Sequence, residues 1–233
     1  PAPKVELWVW IVFSAFIHLL YQRSLTKMYE TTPLSYAYPI ARGTGPLLVT
    51  IFSLVAFENT LKPLELIFIT SLVFGIFLTM KSTSTTNGKN SSKPRSNLLY
   101  PLMTGVLIAS YTLVDSYAIQ QSDNILTFIT WSSVVQAPLF FIVAIKDRGI
   151  QILTQSMHAW RYGLPAALIA QLGYALALTA YSFGNIGEIA ALRETSILFA
   201  GILGYFWLNE VMSKQKAYAL LIIMGSAIGL AII

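Results

Sequence analysis

The stretch Glu188–Glu210, EIAALRETSILFAGILGYFWLNE, limits the fold more than any other part of the chain. It is almost wholly apolar and long enough to cross a bilayer, since a hydrocarbon core of about 30 Å takes about 20 helical residues. Yet it carries Arg193 and Glu194 side by side well inside the run. A charged side chain at that depth costs at least about 3 kcal/mol, so such residues survive where a function or a buried partner retains them. A second stretch, Pro33–Glu58, PLSYAYPIARGTGPLLVTIFSLVAFE, repeats the plan: an internal arginine, Arg42, then an apolar run and a closing glutamate. Arg42 and Glu58 stand sixteen residues apart, Arg193 and Glu210 seventeen.

Of the 233 residues, 55% are hydrophobic and 11% are charged. Soluble domains carry about 25% charged residues, so this chain cannot hide its apolar surface in a water-facing globule. The expected fold is all-α and polytopic, with eight transmembrane helices at Glu6–Gln22, Leu34–Phe57, Leu64–Met80, Leu98–Ala118, Ile125–Ile145, Arg161–Phe183, Glu188–Leu208 and Lys216–Ile233. The runs are continuously apolar rather than alternating, which excludes a strand barrel. Trp8, Trp10, Tyr100, Trp160 and Trp207 fall near span ends, where interfacial aromatics belong. Residues 81–97, KSTSTTNGKNSSKPRSN, form a polar linker between spans 1–80 and 98–233. Ile150–Trp160 reads either as a short amphipathic helix along the surface or as an ordinary loop.

The net charge of +5 does not point to nucleic acid, because the basic residues lie between apolar runs. Eleven of them (Arg23, Lys27, Lys81, Lys89, Lys93, Arg95, Lys146, Arg148, Arg161, Lys214 and Lys216) fall on one face, against Lys4 and Lys62 on the other. Loop charge of that asymmetry puts the linker in the cytoplasm and both ends of the chain outside. With no cysteine, disulfides and thiolate metal sites are excluded. The chain has two histidines and no HExxH, GxSxG or GxxxxGK pattern, so no metal, cofactor or enzyme site is expected.

The three spans within 1–80 and the last three of the chain end in the same series: an arginine-bearing span, a glutamate, a short turn and a last span. Glu58 and Lys62 are four residues apart, as are Glu210 and Lys214. The two triplets enter from opposite faces, as inverted repeats around a midplane site do in secondary transporters. The second half holds five spans and the first three, so two more spans are expected before Pro1.

The segments AYPIARGTGPLL (Ala37–Leu48), ASYTLVD (Ala109–Asp115) and ALRETSILFAGILGYFWLNE (Ala191–Glu210), with GSAIGLAI in the last span, resemble the drug/metabolite transporter superfamily, EamA-type permeases. The resemblance covers the whole chain. It implies ten helices in two inverted five-helix halves around a central cavity, with 1–80 the last three helices of the first repeat and 98–233 the second repeat. It also implies exchange or export of small metabolites without ATP. The chain departs from the pattern in lacking the first two helices, and in loop charges that place its ends outside where family members have both termini in the cytoplasm.

Within this frame the candidate solute-binding residues are Arg42, Arg193, Tyr38, Tyr111, Gln171 and Tyr174, and the candidate proton-coupling or gating residues are Asp115, Glu194 and His18. At about 1.5 Å of rise per residue, Arg42 lies roughly 12 Å from the cytoplasmic face and Arg193 roughly 8 Å from the outer face. His18, Tyr36 and Tyr38 then share the inner half with Arg42, while Asp115 and Glu194 share the outer half with Arg193. An arginine fork suits carboxylate or phosphate, so the expected partner, beside the lipid bilayer, is a small polar solute, one bearing carboxylate. The alternative for Arg193 and Asp115 is a static ion pair locking two helices, and for His18 a hydrogen bond to a tyrosine such as Tyr21. Pro39, Gly43, Gly45 and Pro46 are expected to weaken or kink their helix beside Arg42. Gly225 and Gly229 make a GxxxG step that would serve a homodimer. The reading is a secondary transporter of a metabolite or drug in a cell (inner) membrane, working by alternating access. Its competitors are an intramembrane enzyme or lipid-handling protein built on Asp115, His18 and Glu194, and a non-transporting partner subunit.

Overall fold

Apolar runs with few helix breakers give helices throughout. The computed structural model describes residues 2–56, 63–84, 98–122, 124–150, 152–181, 193, 196–208 and 212–232. Among these there are eight helices and no strand: α1 (Val5–Thr31), α2 (Leu34–Ala56), α3 (Pro63–Ser84), α4 (Leu99–Gln120), α5 (Ile125–Arg148), α6 (Ile152–Tyr181), α7 (Ser196–Phe206) and α8 (Lys214–Ile232). Four stretches of the described residues are long and apolar enough to cross a membrane: Val5–Thr31, Leu99–Gln120, Ile125–Asp147 and Arg161–Ala180. Pro63–Leu78 is a shorter apolar helix. In α2 the apolar run is diluted by Arg42, two glycines and two prolines, and of the span Glu188–Leu208 the described helix is Ser196–Phe206.

Three boundaries differ from expectation. α1 runs nine residues past Gln22, so Arg23 and Lys27 lie on a helix rather than in a loop. Its polar extension is held by a Lys27–Glu30 ion pair at 2.9 Å and by Thr26 and Thr31 hydroxyls donating to carbonyls one turn back. It stops just before Pro33, as the residue preceding a proline disfavours helical backbone. The segment after Ile150 is neither a separate surface helix nor a loop, because α6 starts at Ile152 and continues unbroken into the apolar run. Finally, α2 carries its proline–glycine cluster inside a single helix, with no interruption of the helical backbone beside Arg42. α5 shows why its ends are sharp. The Asn124 side chain accepts from the Leu126 N–H at 2.9 Å, and Gly149 closes the helix at φ +74 and ψ 172, a region open to glycine alone.

Two compact units share these helices. The first comprises Pro1–Leu19 and Tyr111–Gly184, the second Leu20–Ser110 and Asn185–Ile233. α1 and α4 each give one part to the first and one to the second. In the first unit α5 packs on α6. The early turns of α1 are pinned by two aromatic pairs, Trp8 with Trp131 at 5.1 Å and Trp10 with Tyr117 at 4.7 Å. Leu7, Ile11, Ser14 and His18 recur at helical spacing and are buried, and so are Tyr111, Asp115 and Ala118 on α4. The interior faces of both helices therefore mix apolar with polar groups.

The second unit is close-packed through glycines. A Cβ at Gly43 would lie 3.0 Å from Ile76, and one at Gly75 would lie 2.7 Å from Ile223. Gly229 receives the Phe68 ring. These pairs fix directions. Gly43 stands thirteen residues before the end of α2 and Ile76 thirteen after the start of α3, so α2 and α3 form an antiparallel hairpin. Positions rise along α3 as they fall along α8 (Phe68 with Gly229, Gly75 with Ile223), so that pair is antiparallel too. Gly201 meets Leu220, while Ile197 and Ile223 share one buried cluster, which makes α7 and α8 antiparallel. It follows that α7 runs opposite to α2.

Candidate functional site

Each unit holds one polar centre. In the first it is built on Asp115, which is wholly buried. The Ser14 hydroxyl donates to its Oδ1 at 2.5 Å, the Tyr174 hydroxyl donates to its Oδ2 at 3.0 Å, and His18 Nε2 stands 3.3 Å from the same Oδ2. Ser14 and His18 are four residues apart on α1 and so share a face. Tyr111, one turn before Asp115 on α4, sets its ring edge-on to the imidazole at 4.4 Å, and the Tyr174 ring lies at 5.4 Å. One carboxylate thus gathers α1, α4 and α6. Hydrogen bonds to a charged group contribute about 1.5–3 kcal/mol each, so two hydroxyl donors and an imidazole offset a large part of the cost of burying a carboxylate. Nearby on the same unit, the Gln171 side-chain amide donates to Ser133 Oγ at 2.7 Å.

An imidazole beside a carboxylate in an apolar bundle can take up and release a proton, which is why Asp and His mark proton paths in membrane proteins. The separate depths expected for His18 and Asp115 are thus corrected. With α1 extended to Thr31, His18 falls at the helix midpoint, not in one half. Its carboxylate neighbour is Asp115.

The second unit holds the cationic centre. The Arg42 guanidinium sits over the Tyr38 ring at 5.4 Å from its centroid, and the Tyr38 hydroxyl donates to Ser196 Oγ at 3.0 Å. Both arginines are half-buried. The Tyr38–Ser196 bond ties α2 to the start of α7.

Among the expected site residues, Asp115, His18, Tyr174 and Tyr111 come together, and Arg42 joins Tyr38. Gln171 bonds Ser133 instead. Glu194 lies outside the described residues. Three residues were missed: Ser14, Ser196 and the α5 pair-mate Ser133. On the same helix Ser132 Oγ and Gln136 Nε2 are buried without a hydrogen-bond partner among the described residues. For Ser14 the signal was its place four residues before His18 in a buried stripe. Ser196 had none, being 158 residues from its partner Tyr38. Among the described residues no group of three His, Asp or Glu side chains could hold a metal. Gly229 is filled by Phe68, while a Cβ at Gly225 would meet nothing within 4 Å.

Comparison with known proteins agrees with the helical, charge-bearing bundle. No curated protein matches the chain. The model of the EamA-like transporter family matches residues 95–232, more than half of the chain, from within the polar linker nearly to the last residue. The helix bundle, its buried charges and this match together establish that the chain belongs to the EamA-like transporter family of the drug/metabolite transporter superfamily and is a multi-pass membrane transporter.

Proposed function

We propose that the protein is a secondary transporter that moves a small polar solute across a cell membrane by alternating access, with Asp115 and His18 exchanging a proton during the cycle. The observation that carries this reading is the Asp115 node: a buried carboxylate held by Ser14, Tyr174 and His18 from two other helices. A group so placed changes its partners when it is protonated, because a carboxylic acid donates where a carboxylate only accepts. The proton can thus bias the packing of α1, α4 and α6. The opposed directions of α2 and α7, and of α3 and α8, favour an inverted repeat, since an in-plane two-fold relating the two hairpins requires both reversals. Arg42, Arg193 and Tyr38 are the solute contacts in this reading.

The closeness of Ser14, Asp115 and His18 also suits an intramembrane hydrolase, but the order of the contacts does not. A serine nucleophile needs the histidine as its base and the carboxylate behind the histidine. Here the carboxylate lies between serine and histidine, so the imidazole does not hold the place of the serine's base that the triad order requires.

Flux in proteoliposomes under an imposed pH gradient tests the proton step. Wild-type flux of a transported solute should respond to the gradient, and Asp115→Asn should abolish that response while the protein still inserts and folds. A gradient response that persists in Asp115→Asn would remove Asp115 from the mechanism.

A further inference from the structure

We propose that Ser132 and Gln136 on α5 hold internal water that carries protons to Asp115. The proposal deepens the proton step of the transport reading and rests on it.

Two buried polar atoms are the starting point. Ser132 Oγ and Gln136 Nε2 have no hydrogen-bond partner among the described residues. They stand one turn apart on α5, in a row with Phe128, and Phe128 and Ser132 are wholly buried. Other hydroxyls of the bundle are met by their own helix. Ser110, Ser116, Ser133 and Thr179 each donate to the carbonyl four residues back. Ser132 makes no such bond, although the Phe128 carbonyl stands in the same place relative to it. Buried polar groups are almost always paired with protein or with ordered water, so two on one helix face call for a ligand.

Their position ties them to the carboxylate. Gln171 on α6 donates to Ser133, the residue after Ser132. Tyr174, three residues further along α6, donates to Asp115. Three residues are about 4.5 Å of rise and nearly one turn, so α6 meets Ser133 and Asp115 on one face at neighbouring heights. Ser132 and Ser133 leave α5 in directions about 100° apart, and Ser132 is the more deeply buried of the two. All of these residues belong to the first unit.

The chemistry suits conduction. The titratable groups gathered at Asp115 are His18 from α1, Tyr111 from α4 and Tyr174 from α6. α5 adds none there, because its ionisable residues, Lys146, Asp147 and Arg148, stand at its last turn. Neutral groups pass a proton on without storing it. The Ser132 hydroxyl both accepts and donates, so it takes a proton from water on one side as it releases its own to water on the other. The Gln136 amide donates through Nε2 and orders a water oxygen without exchanging a proton. The proton ends on Asp115, whose carboxylate becomes a carboxylic acid, and no bond between heavy atoms forms or breaks. Water is the ligand that two such atoms suit, since one molecule occupies about 30 Å³ and needs two to four polar partners.

The test uses the full chain in nanodiscs, as wild type, Ser132→Ala, Gln136→Met, Thr130→Ala and Asp115→Asn. Thr130 is an exposed hydroxyl on the same helix. Infrared spectra after a pH jump follow the Asp115 carboxylate, whose band is the one missing from Asp115→Asn. Ser132→Ala and Gln136→Met should each slow its protonation by about tenfold or more, with Thr130→Ala at the wild-type rate. Thermal melts of Ser132→Ala, which removes one oxygen and little else, give a second readout. Loss of a hydroxyl bonded to water should lower the melting temperature by about 2–4 °C, whereas loss of one bonded to nothing should raise it. An unchanged protonation rate in either α5 variant, an equal slowing in Thr130→Ala, or a raised melting temperature in Ser132→Ala would overturn the proposal and leave Asp115 as the proton carrier. An Asp115 band unaltered by the jump would overturn the proton step itself, and the proposal with it.

Discussion

Asp115 shows how a single side chain can organise a membrane bundle. Its two oxygens take hydroxyl protons from Ser14 and Tyr174, and the second also faces His18. Leaving a buried carboxylate one donor short costs about 1–3 kcal/mol. Ser14→Ala and Tyr174→Phe should therefore each lower stability by that order, read as the loss of folded protein in a denaturant titration, with the pH profile of transport altered as well. A stability loss with an unchanged pH profile would reduce both residues to structural ties. Much of this centre was legible, because Asp115, His18, Tyr111 and Tyr174 are conspicuous as polar groups in apolar runs. Their meeting was not, since depth counted from an assumed membrane face placed His18 and Asp115 in different halves. The extra turns of α1 after Gln22, built from ordinary helix formers, undid that count.

Helix packing depends on where bulk is absent. A Cβ on Gly105 would sit 2.5 Å from Thr44 Cβ and 2.8 Å from the Ala41 carbonyl oxygen, so α2 and α4 approach closely there. Gly105→Val should force them apart and cost about 1–3 kcal/mol, the usual penalty of overpacking. Gly225→Ala, with nothing within 4 Å, should be neutral or stabilise by about 0.5–1 kcal/mol, since alanine outperforms glycine in a helix. A pair of thermal melts distinguishes the two, and equal shifts would contradict the packing described for α2 and α4. At the start of α5, Asn124→Ala removes the side chain that caps Leu126 and should cost about 1 kcal/mol. Element existence was readable from apolar run length alone. The fate of the proline–glycine cluster in α2 was not: Gly43 and Gly45 read as breakers but serve as sockets for Ile76 and Ile108. Local sequence cannot tell a hinge from a socket, because the difference lies in the neighbouring helix.

For the molecule as a whole, membership of the EamA-like transporter family gives the class of activity. The repeated arginine–glutamate plan was visible in the sequence. The Tyr38 to Ser196 bond, which ties α2 to α7, is one that no spacing could announce. Arg42 and Arg193 are the solute contacts that the proposed function assigns. The most direct test is a flux screen in proteoliposomes over amino acids, purines and organic anions, run on wild type, Arg42→Ala and Arg193→Ala at matched reconstitution. At least one solute should cross with wild type and fall to the protein-free rate with either variant. A solute that both variants carry at the wild-type rate would contradict the account.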